Sequence, residues 1–273
     1  MTDASLRSGM QPETTYDAKD VLPARLLELV SSCFVGNIET AVDRLVKHAV
    51  TGRGGYMCLC NVHVLTSALH DIRLRRVLSR AEVRFPDGEP VAWLLRRLGS
   101  TQAQRIGGPD LLPCVVDKGR DVRLRHFFVG STERNLDSLA RALVDRYPGA
   151  DIIGVHAPPY AAEPEVEEPL VQEIRATRAQ VVWVGLGAPK QELWVARAAP
   201  ALPGVTLVGV GAAFAFLGGG QRRAPAWMQQ SGLEWVFRLA SEPRRLTARY
   251  ARWNSEFMVR AALELARRQF GAG

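Results

Sequence analysis

Short, almost unbroken apolar runs alternate with amphipathic stretches along most of this chain, and no other feature limits its fold as strongly. The runs at 56–62, 123–130, 151–155, 180–187 and 205–211 are short and, for most of their length, nearly continuously apolar. They read as strands covered on both faces, as in a parallel sheet. Helical periodicity fills intervals at 64–80, 132–147 and 165–177, with Ser131 or Thr132 placed to cap the second. Strand, helix and strand in succession imply βαβ units, so an α/β fold is expected. With 47% hydrophobic residues in 273, the chain has enough apolar surface for one large domain plus an appendage. The expected divisions are a polar, mobile leader at 1–22, an α/β domain at 23–220 and an arginine-rich appendage at 221–273.

Charge separates the appendage from the rest. From Arg222 to the C-terminus there are ten arginines, no lysine and four glutamates, a formal +6 of the chain's +7. Guanidinium groups match phosphate oxygens bidentately and keep their charge at any working pH, so the cluster suits a diphosphate. It equally permits phosphate contacts and base stacking in a nucleic-acid-binding protein, although no recognition motif such as a helix-turn-helix is evident. Tyr250, Trp253, Phe257, Ala261 and Leu265 fall on one helical stripe, which suits an interfacial helix on anionic lipid and, equally, docking on the chain's own domain.

Ligands of open parallel sheets gather beyond the carboxyl ends of the strands. Those ends carry Asn61 and His63, then Gly130-Ser131, then Gly185-Leu186-Gly187-Ala188-Pro189-Lys190-Gln191-Glu192, then Gly209-Val210-Gly211. In the third, Pro189 suits the first position of a helix whose N-terminus, with Lys190, favours an anion, and Gln191 offers hydrogen bonds to a sugar or base. The pattern is neither Gly-x-Gly-x-x-Gly nor a Walker loop. Phe85-Pro86-Asp87-Gly88 presents one carboxylate on a turn; such an aspartate is a turn former or, if desolvated beside a sugar hydroxyl, a general base.

Metal chemistry has little support. Asp-x-Asp, which holds a divalent cation at the diphosphate in many enzymes of nucleotide sugars, is absent, and no aspartate follows Asp151. His63, His70, His126 and His156 lack ligand spacing. Cys58 and Cys60 have no second pair to complete a zinc site, so with Cys33 and Cys114 they are expected to be reduced, buried thiols of a cytosolic protein. No apolar run is long enough to span a bilayer.

Taken together, Asn61-Val62-His63, Pro86-Asp87-Gly88, Gly107-Gly108-Pro109-Asp110, Phe127-Phe128-Val129-Gly130, Val184 through Glu192, Arg223-Ala224-Pro225, Leu233-Glu234-Trp235 and Pro243-Arg244-Arg245 resemble the WecG/TagA/CpsF family of bacterial glycosyltransferases, glycosyltransferase family 26. The resemblance implies a Rossmann-like, mostly parallel sheet flanked by helices, with a basic helical C-terminal appendage. It implies metal-independent, inverting transfer of a sugar (N-acetylmannosamine, its uronic acid, glucose or similar) from a UDP donor. The implied acceptor is a polyprenyl-diphosphate-linked sugar at the inner face of the cell membrane, in cell-surface polysaccharide synthesis. No cofactor and no nucleic acid are expected; homo-oligomerisation is left open.

The resemblance also implies roles. Asp87 is the base and Asn61 lies beside the sugars. The donor side takes Gly185, Gly187, Pro189, Lys190, Gln191, Glu192 and Gly211, with Arg222, Arg223, Arg238, Arg244, Arg245 and Arg249 as candidate clamps on the diphosphate. His63, Gly88, Gly108 and Asp110 are assigned to the acceptor. Leu59 and Ala215 stand where many members have Thr and Asp, departures that bear on which sugar is moved.

Overall fold

The computed structural model describes residues 24–161, 165–225, 227–228, 234–241 and 243–270, apart from the side chains of Arg238, Arg245, Leu246, Ala248, Arg249 and Tyr250. The expected leader lies outside the described residues. Six parallel strands form one sheet in the order β2-β1-β6-β5-β3-β4. They are β1 (Tyr56–Cys60), β2 (Val83–Pro86), β3 (Arg125–Gly130), β4 (Asp151–His156), β5 (Val181–Gly185) and β6 (Thr206–Gly209). The fold is the Rossmann-like α/β arrangement that was expected.

Both faces are covered, which is why the strands lack polar alternation. Tyr56, Cys58, Cys60, Phe127, Val129, Val182, Val184 and Leu207 point to one side. There they meet α1 (Leu26–Ser31), α3 (Val62–His70), α4 (Ile72–Arg80), α5 (Glu89–Arg97), α8 (Glu168–Ala176) and α9 (Lys190–Ala198). Met57, Leu59, Phe85, Phe128, Trp183 and Val208 point to the other, against α2 (Ile38–Val50), α6 (Gly108–Gly119), α7 (Glu133–Arg146) and α10 (Ala213–Leu217). Helices after β1 and β5 thus lie on the face opposite to those after β3 and β6. The chains leaving adjacent strands diverge, and the carboxyl edge opens between them.

Three sequence expectations change. The strand β2 was not foreseen: it is short, carries Arg84 and ends in Pro86. It is tolerated because β2 is an edge strand, where a missing N–H costs no ladder bond, and Arg84 turns its guanidinium to the carbonyls of Ser32, Leu78 and Ala81. The single helical stretch at 64–80 is two helices. Asp71 takes an extended backbone between them and accepts from the Arg73 amide, capping α4. Finally, Cys33, Cys58 and Cys60 are buried free thiols, but Cys114 is exposed on α6.

The C-terminal segment ends in α11 (Glu234–Ser241) and the long α12 (Pro243–Phe270). The stripe on α12 docks on the chain's own domain. Phe257 and Ala261 are fully buried in the core of the first face, with Leu265 packed against it. Trp253 meets the rings of His63 and His70 on α3 at centroid distances of 5.4 and 6.4 Å. Both carboxylate oxygens of Glu264 accept from the free amides of Leu26 and Leu27 at the start of α1, at 3.1 and 3.0 Å, supplying the cap that Arg25 does not.

Candidate active site

The carboxyl ends of β1 and β2 bring Asn61 and Asp87 together. The Asp87 amide donates to the Cys60 carbonyl at 3.0 Å, tying the two strand ends. Asn61 occupies the N-cap of α3, and its Oδ1 accepts from the Val64 amide at 3.0 Å. That capping bond leaves Nδ2 aimed at Asp87 Oδ2, 3.4 Å away. One side chain therefore starts a helix and orients a half-buried carboxylate. Gly88 follows at φ +100° as the N-cap of α5, a backbone angle suited to glycine.

The segment before α6 crosses next to this pair, held by the Ile106 amide on the Pro86 carbonyl at 2.8 Å. Gly107 lies between charges: a methyl group on it would stand 3.4 Å from Asp87 Oδ1, 3.4 Å from Arg105 Nη1 and 3.5 Å from Asp110 Oδ2. Gly108 is buried, and a methyl there would come within 2.7 Å of the Val210 carbonyl and 3.1 Å of Leu59. Its glycine serves the close approach of α6 to the sheet, so it has no surface to offer an acceptor. Asp110 is engaged as well, with Arg105 Nη2 at 2.9 Å and Arg223 Nη2 at 2.6 Å. His63, expected near the acceptor, lies against Trp253 of α12.

Beyond β5 and β6, Gly187 takes φ +81° in open space and Gly211 takes φ +56°. Gly185 is glycine for packing, because a methyl would stand 2.5 Å from the Phe214 ring. Pro189 is the N-cap of α9 and not its first helical residue. Lys190 Nζ donates to the Ala161 carbonyl at 2.8 Å and stands 4.4 Å from the Tyr160 ring centroid, so the loop after β4 holds it.

Gln191 and Glu192 lie beneath the rim. Gln191 is 2% exposed and Glu192 not at all. Gln191 Oε1 accepts from the Gly211 amide at 2.9 Å, and its Nε2 donates to Glu192 Oε1 at 2.8 Å. Glu192 Oε2 has no hydrogen-bond partner. Burial pushes this carboxyl up to about 7, helped by the charge of Asp87 and opposed by the bond from Gln191. The pair thus locks the turns after β5 and β6 to each other from below.

Of the candidate clamps, Arg223 pairs with Asp110, whose carboxylate borders Gly107 as that of Asp87 does. Arg222 and Arg244 are exposed, and the side chains of Arg238, Arg245 and Arg249 lie outside the described residues. Two groups were missed by sequence reasoning. Arg105 bonds Asp110 on one side and Glu234 Oε2, at 2.8 Å, on the other. Their spacing held no signal, since Glu234 is 129 residues from Arg105 and meets it only through the fold.

Two comparisons bear on this geometry. The family described as the Glycosyl transferase WecG/TagA/CpsF family matches residues 29–271. A relative from Bacillus spizizenii (strain ATCC 23059 / NRRL B-14472 / W23), an N-acetylglucosaminyldiphosphoundecaprenol N-acetyl-beta-D-mannosaminyltransferase, is 27% identical over 226 residues, covering 82% of this chain and 84% of its own.

Proposed function

The chain belongs to the WecG/TagA/CpsF family and is a glycosyltransferase, and from that premise we propose that it moves a sugar of the N-acetylmannosamine type from a UDP donor to a polyprenyl-diphosphate-linked sugar. The relative's name gives that protein both a diphosphoundecaprenol acceptor and a mannosaminyl group. The observation that carries the reading is the pairing, on one rim, of an oriented carboxylate with guanidinium groups: Asp87 beside Asn61, and Arg105 with Arg223 across Gly107.

In this reaction the acceptor hydroxyl oxygen forms a bond to the anomeric carbon as the bond from that carbon to the diphosphate oxygen breaks. The hydroxyl proton passes to Asp87, and the electron pair leaves with UDP. Attack opposite the leaving group inverts the configuration. Asn61 keeps the carboxylate turned toward the hydroxyl, and the arginines offset the charge that develops on the departing diphosphate. A sequence without Asp-x-Asp supports arginine in place of a metal for that task.

Contact with the membrane surface belongs to the same reading, because the acceptor is a lipid. No described helix is long and apolar enough to cross a membrane. Exposed Val259, Leu263 and Phe270 on α12, with Arg252 and Arg267 nearby on the helix, support docking at an anionic lipid surface.

The test is turnover. UDP-N-acetylmannosamine and a short-chain N-acetylglucosaminyl diphospholipid, incubated with the full chain in excess chelator, are expected to yield UDP and a disaccharide lipid detectable by mass spectrometry. No product with any UDP-sugar tried would refute the donor assignment. Product that disappears with chelator and returns with magnesium or manganese would refute the arginine role.

A further inference from the structure

The contacts around Arg105 close on themselves. Arg105 pairs with Asp110 at 2.9 Å and with Glu234 at 2.8 Å; Arg223 pairs with Asp110 at 2.6 Å and approaches Glu234 at 3.9 Å. Positive and negative groups alternate around a four-membered ring. Its members come from two places, Arg105 and Asp110 beside the catalytic rim and Arg223 and Glu234 in the C-terminal segment. Glu234 is the most enclosed, with 17% of its side chain exposed.

We infer that Glu234 is a positioning residue, which fastens the C-terminal segment to Arg105 and thereby holds Arg223 at the mouth of the site for the donor's diphosphate. Three observations support this role. The ring is neutral as a whole, so the segment brings an arginine to the rim without leaving excess charge there in low dielectric. Removing one carboxylate leaves two partly buried guanidinium groups to share the other, a costly change. The two arginines are also held differently. Arg105 makes aligned hydrogen bonds to both carboxylates, whereas Arg223 Nε and Nη2 are buried without an aligned acceptor. Arg223 is thus placed chiefly by its charge, with Nη2 against Asp110 and Nε turned to Glu234. Finally, Arg105 and Asp110 of the ring lie across Gly107 from Asp87, so Asp110 by direct contact and Glu234 through Arg105 together fix where Arg223 sits relative to the base.

This inference rests on the proposed UDP-sugar chemistry for its kinetic consequence only; the docking itself is independent of it. Glu234→Gln and Glu234→Asp in the full chain test both. The first readout is the rate of trypsin cleavage between residues 221 and 245, followed by mass spectrometry without ligand. The second is KM and kcat for the UDP-sugar. Loss of one charge-assisted bond in a partly buried setting predicts that Glu234→Gln speeds cleavage and raises donor KM about tenfold, with kcat changed by less than about threefold. Glu234→Asp, which keeps the charge, is expected to recover part of both. Should Glu234→Gln prove poorly folded by circular dichroism, Asp110→Asn removes the other carboxylate and is expected to speed cleavage in the same interval.

Cleavage unchanged in Glu234→Gln overturns the inference. So does a fall in kcat with KM and cleavage unaltered, which would place Glu234 in the chemistry itself. Absence of turnover in the unaltered chain defeats the donor reading and leaves the cleavage result to decide the ring.

Discussion

Two carboxyl groups near the same rim differ in almost every respect. Asp87, at the end of β2, is half-exposed, takes a contact from the Asn61 amide and faces a guanidinium cluster across Gly107. Glu192, in the first turn of α9, is fully buried with one oxygen unpartnered, and burial raises its pKa to about 7. The β1–β2 end of the rim therefore leaves its carboxyl group half-exposed, while the β5–β6 end hides one beneath glycine turns. Environment, and not residue type, divides the two into the group proposed to react and one buried in the structure.

The sharpest way to break this comparison is Asp87→Asn. It removes the proton acceptor while keeping shape and the Asn61 contact, so turnover should fall by about 10²–10⁴ with UDP affinity nearly unchanged. Calorimetric titration with UDP alongside the turnover assay checks both halves. Equal turnover would return Asp87 to the status of a turn residue.

Glu192→Gln addresses the other carboxyl. Its folded pKa lies above the ordinary value of 4.5, so its contribution to stability is fully present below about 4.5 and lost as pH rises to about 7. Above that both folded and unfolded states are ionised, and the penalty is constant. The loss is on the order of 3 kcal/mol at about 1.4 kcal/mol per pKa unit. Urea denaturation at pH 5 and pH 8 should show the unaltered chain weakening more across this interval than Glu192→Gln, whose amide still accepts from Gln191. Parallel pH dependences would mean that Glu192 is ionised in the fold.

A smaller effect is expected from Gly108→Ala. The added methyl meets the Val210 backbone at 2.7 Å, which cannot turn aside as a side chain does, so α6 must shift. About 1–3 kcal/mol of stability is expected to be lost, seen as a lower Tm. Donor KM should rise with it, because α6 begins beside Asp87 and carries Asp110. A Tm equal to that of the unaltered chain would show that the helix approaches the sheet less closely.

Much of this architecture was legible because it rests on local chemistry. Consecutive apolar residues in 125–130 and 181–185 mark strands covered on both sides. Thr132 caps the helix that follows β3, as one of the two candidates there, and Asp87 sits in the turn that its Pro-Asp-Gly neighbourhood implies. What escaped was decided by neighbours distant in sequence. The strand β2 is too short and too polar to announce itself, and exists because β1 supplies its ladder. The stripe on α12 fits lipid or protein equally well by periodicity, and the choice fell to protein because α1 and α3 leave a groove for Phe257 and Ala261. The basic tail is less free for nucleic acid than composition suggests, since Arg223 is bound to Asp110 and Arg260 to Glu256.

By itself the sequence determined the parallel α/β sheet, the glycine-rich and polar rim at its strand ends and the aspartate that stands there, because each follows from patterns a few residues long. Only the tertiary structure decided that Gln191 and Glu192 lie beneath that rim and that Arg105, Asp110, Arg223 and Glu234 close into one ring. Burial and ion pairing between segments more than a hundred residues apart depend on where the folded chain brings them, and no local pattern encodes that distance.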